Sequence, residues 1–93
     1  MYGRVLNRIR QLVLERRYIV TVHAYDEMGA DNFAIWDVES ALLNGTIVGQ
    51  QRDKDTGERK FRVAGEGLNN RKIEVVVKVG ATGKLIIITV YAL

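Results

Sequence analysis

Ninety-three residues, 47% hydrophobic and 27% charged, make one small domain spanning residues 1–93 with the balance of an ordinary soluble globular protein. The absence of cysteine excludes disulfides and thiolate metal sites, and the reducing cytosol is the expected compartment, so the protein is read as cytoplasmic. A net charge of +3 is modest, no apolar run is long enough to span a bilayer, and the Arg-rich start does not resemble a signal peptide, so no membrane association is expected.

Residues 1–17 hold Arg4, Arg8, Arg10, Arg16 and Arg17 against Glu15 alone. Val5, Leu6, Ile9, Leu12 and Val13 recur at helical spacing, which predicts an amphipathic helix over 4–16 with a basic outer surface. Tyr18 to Val22 is β-branched and aromatic, hence a short strand or extended segment. His23 to Met28 reads as a helical turn, broken by Gly29-Ala30-Asp31-Asn32. A helix follows over about 35–44, with Ile35, Val38, Ala41 and Leu42 in period and Gly45 placed for a left-handed C-cap. Its early acids Asp37 and Glu39 suit the helix dipole, while Ala34 has no oxygen with which to cap it. Trp36 is expected in the core, the alternative being an exposed anchor for a protein partner. From residue 18 to 51 there are five acids and no Lys or Arg, and from Arg52 the chain is basic again. Such asymmetry suits a polyanion on one side and a different contact on the other, or simply a mixed solvated surface.

Thr46 to Gln51 and Glu58 to Ala64 pair about the polar turn 53–57. The chain then closes with two strongly apolar patterns, KIEVVVKV and KLIIITVY, joined by Gly80-Ala81-Thr82-Gly83. In the first, Ile73, Val75, Val77 and Val79 share a face. In the second, strict alternation puts Leu85, Ile87, Thr89 and Tyr91 together, opposite Ile86, Ile88 and Val90. Strands apolar on both faces belong at the centre of a sheet. The expected fold is α+β, with N-terminal helices packed on a four-stranded, mainly antiparallel curved sheet: a basic helix over 1–17, a short strand and helices over 18–45, and a meander over 46–93.

His23-Ala24, Met28, the run Trp36-Asp37-Val38-Glu39-Ser40-Ala41-Leu42 with Gly45, the strand Phe61-x-Val63-x-Gly65, and the closing Ile88-Thr89-Val90-Tyr91 resemble the domain of unknown function 4258 family. The likeness covers nearly all of the chain except the first helix. It departs after His23-Ala24, where the family carries arginines around the Met and this chain has Asp26 and Glu27. Members of that family look like relatives of the RelE-type toxins. The resemblance therefore implies a RelE/barnase-like fold, an RNA substrate and a cognate antitoxin partner.

Metal-independent RNA cleavage needs a base for the ribose 2′-hydroxyl, an acid for the leaving oxygen and cations for the charged transition state. His23 is the only histidine and the only side chain that ordinarily titrates near neutrality, so it is the candidate acid or base; the alternative is a histidine that merely caps the helix start. Arg52, Arg59, Lys60 and Arg62 cluster on one hairpin and could grip phosphates, with Arg62 first, and Arg4 and Arg8 could add a basic helix surface. A solvated strand face beside Asp53, Asp55 and Glu58 is the other reading. Thr89, expected among isoleucines, needs a partner for its hydroxyl, and His23 is the candidate. Tyr91 could orient a phosphate or simply pack. A lone histidine without cysteine argues against a transition-metal site, and nothing calls for a cofactor. Three functions are thereby framed: a toxin-like metal-independent endoribonuclease, a non-catalytic nucleic-acid or protein-binding module, and a self-associating domain pairing through the 46–51 strand.

Overall fold

The computed structural model describes residues 2–93 and contains three helices and five strands: α1 (Gly3–Leu14), β1 (Tyr18–Val20), α2 (Val22–Ala30), α3 (Ile35–Asn44), β2 (Thr46–Arg52), β3 (Arg59–Glu66), a single 3-10 turn at Leu68–Asn70, β4 (Lys72–Val79) and β5 (Leu85–Ala92). The fold is α+β as the pattern predicts, but the sheet has five strands, not four, in the order β1-β5-β4-β3-β2. The last four form the expected antiparallel meander. The fifth comes from the segment before α2: Tyr18, Ile19 and Val20 pair in parallel with Leu85, Ile86 and Ile87. β4 and β5 therefore lie inside the sheet, as their two-sided apolar character requires.

One face of the sheet meets the helices. Ile9, Leu12 and Val13 of α1, Ala24 and Met28 of α2, and Val38, Ala41 and Leu42 of α3 form a single core with Phe61, Val63, Ile73, Val75, Val77, Leu85, Ile87 and Val90. Helix α3 approaches β3 backbone to backbone. A Cβ on Gly65 would stand 2.2 Å from the Ala41 carbonyl oxygen, and one on Gly45 would stand 2.5 Å from the oxygens of Ala41 and Ala64. This corrects the reading of Gly45. Its backbone is extended (φ −82°, ψ 178°), so glycine is required for closeness and not for a left-handed cap. The start of α3 is secured from below: Asp37 Oδ2 accepts the Ala34 N–H at 2.9 Å and Oδ1 accepts the Leu68 N–H at 2.8 Å. Trp36 is not in the core. It is 53% exposed, with the Arg16 guanidinium 5.9 Å from its ring centre.

Among the described residues no helix lies over the other face. A bulge in β5 decides which side chains it shows. Val76 pairs with Thr89 but Val77 pairs with Ile87, so Ile88 is the extra residue and the alternation reverses there. Leu85, Ile87 and Val90 consequently enter the core, while Thr89 and Tyr91 turn to the open face. Strict alternation had grouped all of Leu85, Ile87, Thr89 and Tyr91. The bulge removes that conflict, and Thr89 is only half-buried.

Candidate functional site

The register of the open face brings several predicted residues into two neighbouring rows. Gly49 of β2, Arg62 of β3, Val76 of β4 and Thr89 of β5 stand side by side, and Ala64, Glu74 and Tyr91 form the next row. Lys60 and Arg62 share this face, whereas Arg59 lies on the other, with its guanidinium 5.4 Å from the Phe61 ring centre. Of the four residues named as a candidate catalytic set, Arg62, Thr89 and Tyr91 thus stand on one face, the last two through the bulge and not through strict alternation.

Arg62 is not a free cation. Its Nη1 lies 3.6 Å from Glu74 Oε2, and its guanidinium occupies the space left by the missing side chain of Gly49, where a Cβ would stand 2.5 Å from Nη2. Glu74 is only 4% exposed, and its Oε2 accepts no hydrogen bond among the described residues. A carboxylate so placed depends on the cation beside it. Three other cations near this hairpin are similarly engaged. Lys60 stands 3.9 Å from Asp53, Lys78 Nζ donates to Glu58 at 3.1 Å, and Arg52 donates to the Gly57 carbonyl at 2.8 Å. The N–H groups of Thr56 and Asp55 hold the Asp53 carboxyl below the usual range. Arg4 and Arg8 are exposed on the outer side of α1, which packs on the core face. They thus lie beyond the helical layer, on the opposite side of the sheet from Arg62, and the six predicted nucleic-acid contacts do not share one surface.

His23 stands in the first turn of α2, its side chain 68% exposed, with Nε2 3.3 Å from Glu27 Oε1. Thr21 makes the helix start possible: its Oγ1 accepts the Ala24 N–H at 3.1 Å and donates to the Ile88 carbonyl at 3.2 Å. Beyond Ile87, β1 has ended and α2 takes over the edge of β5. There Glu27 Oε1 accepts the Val90 N–H at 3.0 Å. One carboxylate oxygen is thus fixed by the sheet and faces the imidazole. The predicted partner of His23, the Thr89 hydroxyl, is not hydrogen-bonded to it among the described residues; Glu27 takes that place. The pair lies along the outer edge of β5 beside Val90, whose neighbours Thr89 and Tyr91 face the open side, and Arg62 stands on β3, two strands further into the sheet and about 10 Å from β5 itself.

Glu27, Glu74 and Thr21 are the participants that sequence reasoning missed. The four-residue spacing of His23 and Glu27 was available as a signal, since a helix places such pairs side by side. Nothing local announced that Val90 would hold the carboxylate. Among the described residues no three His, Cys, Asp or Glu side chains gather as a metal-binding group, and no helix is long and apolar enough to cross a membrane. The family model that matches this chain is described as Domain of unknown function (DUF4258) and covers residues 20–92, from the end of β1 to the end of β5. No curated protein and no solved structure matches the chain.

Proposed function

The chain belongs to the DUF4258 family, and from that premise we propose that it is a toxin-like, metal-independent endoribonuclease of a toxin–antitoxin system, or a relative of one. The observation that carries this reading is the His23–Glu27 pair clamped to the Val90 N–H. A carboxylate held by backbone and facing an imidazole orients the ring, the arrangement of a base whose tautomer is set by its neighbour. His23 would take the proton of a ribose 2′-hydroxyl. The freed oxygen would attack the adjacent phosphorus, closing a 2′,3′-cyclic phosphate and expelling the 5′-oxygen, which takes a proton from Tyr91 or from the charged imidazole. Thr89 would position the scissile phosphate, and Arg62, on β3, would offer its remaining N–H groups to a neighbouring phosphate of the same RNA chain.

One observation favours a second reading. Arg62 already neutralises Glu74, and drawing it to a phosphate would strand a buried carboxylate. In that case the open face serves a non-catalytic binding module.

The test is induced expression of the wild type, His23→Ala and Glu27→Gln, with growth and total RNA integrity followed in parallel. The purified proteins are then incubated with single-stranded RNA in the presence of a chelator. The enzyme reading expects growth arrest and cyclic-phosphate ends from the wild type, with at least about a hundredfold loss of cleavage for His23→Ala. Equal toxicity from wild type and His23→Ala, or RNA left intact by all three, leaves the binding module.

A further inference from the structure

A groove of about 440 Å³ opens beside β1, between that strand, α2 and the entry to α3, lined by Tyr18, Val20, Tyr25, Met28, Phe33 and Ile35. It is separate from the His23 pair. At 100° per residue, Tyr25 and Gly29 occupy one flank of α2 while His23 and Glu27 occupy the other.

The groove adjoins an unprotected sheet edge. β1 pairs with β5 alone. The Arg17 carbonyl accepts the Leu85 N–H at 3.0 Å and the Thr21 N–H donates to the Ile87 carbonyl at 3.1 Å. Alternation along a parallel ladder therefore turns residues 17, 19 and 21 towards β5 and the backbone groups of Tyr18 and Val20 outward. The side chains of these same two residues share the core-side face with Leu85 and Ile87 and form a wall of the groove. A strand laid along β1 would thus set every second side chain into the groove. Tyr18-Ile19-Val20 offers no Lys, Pro or bulge to refuse one, whereas the opposite edge, β2, is bulged at Val48 and ends on Arg52.

Charge selects the occupant. Asp26 and Asp31, on and just after α2, have carboxylates with no hydrogen-bond or ion-pair partner among the described residues, and no Lys or Arg occurs from residue 18 to 51. The nearby cations are held by contacts of their own, Arg17 at 3.6 Å from Glu15 among them. Arg71 donates to the carbonyls of Asp31 and Asn32 at 2.8 and 3.1 Å and covers the Phe33 ring, and Arg16 covers Trp36.

We propose that this edge and groove receive an extended, net-positive segment of a partner protein, apolar at alternate positions, which adds to the sheet as a sixth strand beside β1. Main-chain pairing supplies adhesion, and the groove selects the side chains. The proposal stands independently of ribonuclease activity, because it uses neither His23 nor the open face.

Short peptides displayed as a random library are selected against the full chain, and the enriched sequence is synthesised for calorimetry. The expected consensus alternates apolar residues and carries Lys or Arg. N-methylation of one alternate set of its amides abolishes binding, while methylation of the other set leaves it unchanged. Tyr25→Ala and the double substitution Asp26→Lys/Asp31→Lys each weaken binding about tenfold, and His23→Ala does not. No enrichment, an acidic consensus, or equal sensitivity of both amide sets (the mark of a helix) overturns the proposal. So does a dimer in sedimentation that Tyr25→Ala dissociates, since the occupant would then be a second copy.

Discussion

Glu74 is a carboxylate buried on the uncovered side of a sheet, and among the described residues its only close cation is Arg62 at 3.6 Å. Removing one partner of such a pair leaves the other uncompensated, whereas removing both need cost nothing. Arg62 keeps considerable contact with water, which reduces the penalty below that of a fully buried pair. Arg62→Met is expected to destabilise by about 2 kcal/mol in urea unfolding, and Arg62→Met/Glu74→Leu to recover most of it. If the double variant is no better than the single, the guanidinium is held there for another reason. Tyr18 gives a second test at this scale. Burial, and then the hydrogen bond it donates to Glu39 at 2.5 Å, push its phenol up to about 12 from 10.0. The folded state thus holds this proton more tightly than the unfolded chain. The stabilisation is complete below pH 10 and is lost as pH rises towards about 12. Ultraviolet titration should show one of the four tyrosines ionising about two units late, and Glu39→Gln should bring it back part of the way.

Among the elements, α3 and β3 meet through two glycines, and their spacing makes a paired prediction. Gly65→Ala puts a methyl group 2.2 Å from the Ala41 oxygen, so α3 must lift away, at a cost of about 2 kcal/mol or more. Gly29→Ala meets nothing within 4 Å and lies within α2, so it should stabilise by about 0.5 kcal/mol through helix propensity. Chemical denaturation of the two variants checks both signs. The boundaries of α3 and β4 were legible in the sequence because their patterns are long and periodic, and apolar alternation put Ile73, Val75, Val77 and Val79 on one face, which the structure turns to the core. The reversal at Ile88 was not, because a bulge is set by the pairing of two strands and leaves no mark in either one. The same limit hid the parallel pairing of Tyr18–Val20 with β5, a contact between distant parts of the chain, and with it the groove. For the candidate site, the residue types were readable and their partners were not. His23 and Arg62 stand out by chemistry, but Glu27 and Glu74 acquire their roles only when the sheet brings Val90 and Arg62 to them.

At the scale of the whole molecule, the family match begins at residue 20 and so leaves out α1, yet the core does not. Ile9 and Leu12 are fully enclosed and Val13 nearly so, packed with residues of α3 and the sheet, and Arg10 donates to the Gly45 carbonyl at 3.0 Å where α3 gives way to β2. Burial of each of the three apolar side chains is worth about 2 kcal/mol, so the helix contributes about 6 kcal/mol. Total stability for a domain of this size is itself only about 5–15 kcal/mol. A chain trimmed to start at Arg17 should therefore lose its cooperative thermal transition by circular dichroism and its dispersed amide spectrum, even though every family-matched residue is present. The outer surface of α1 carries no such burden, since Arg4 and Arg8 point to solvent. Arg4→Gln/Arg8→Gln should keep the melting temperature within about 3 °C. A trimmed chain that still melts cooperatively would mean that the sheet, α2 and α3 close a sufficient core without α1, and the first helix would then be free for the basic, polyanion-facing role that its arginines suggest.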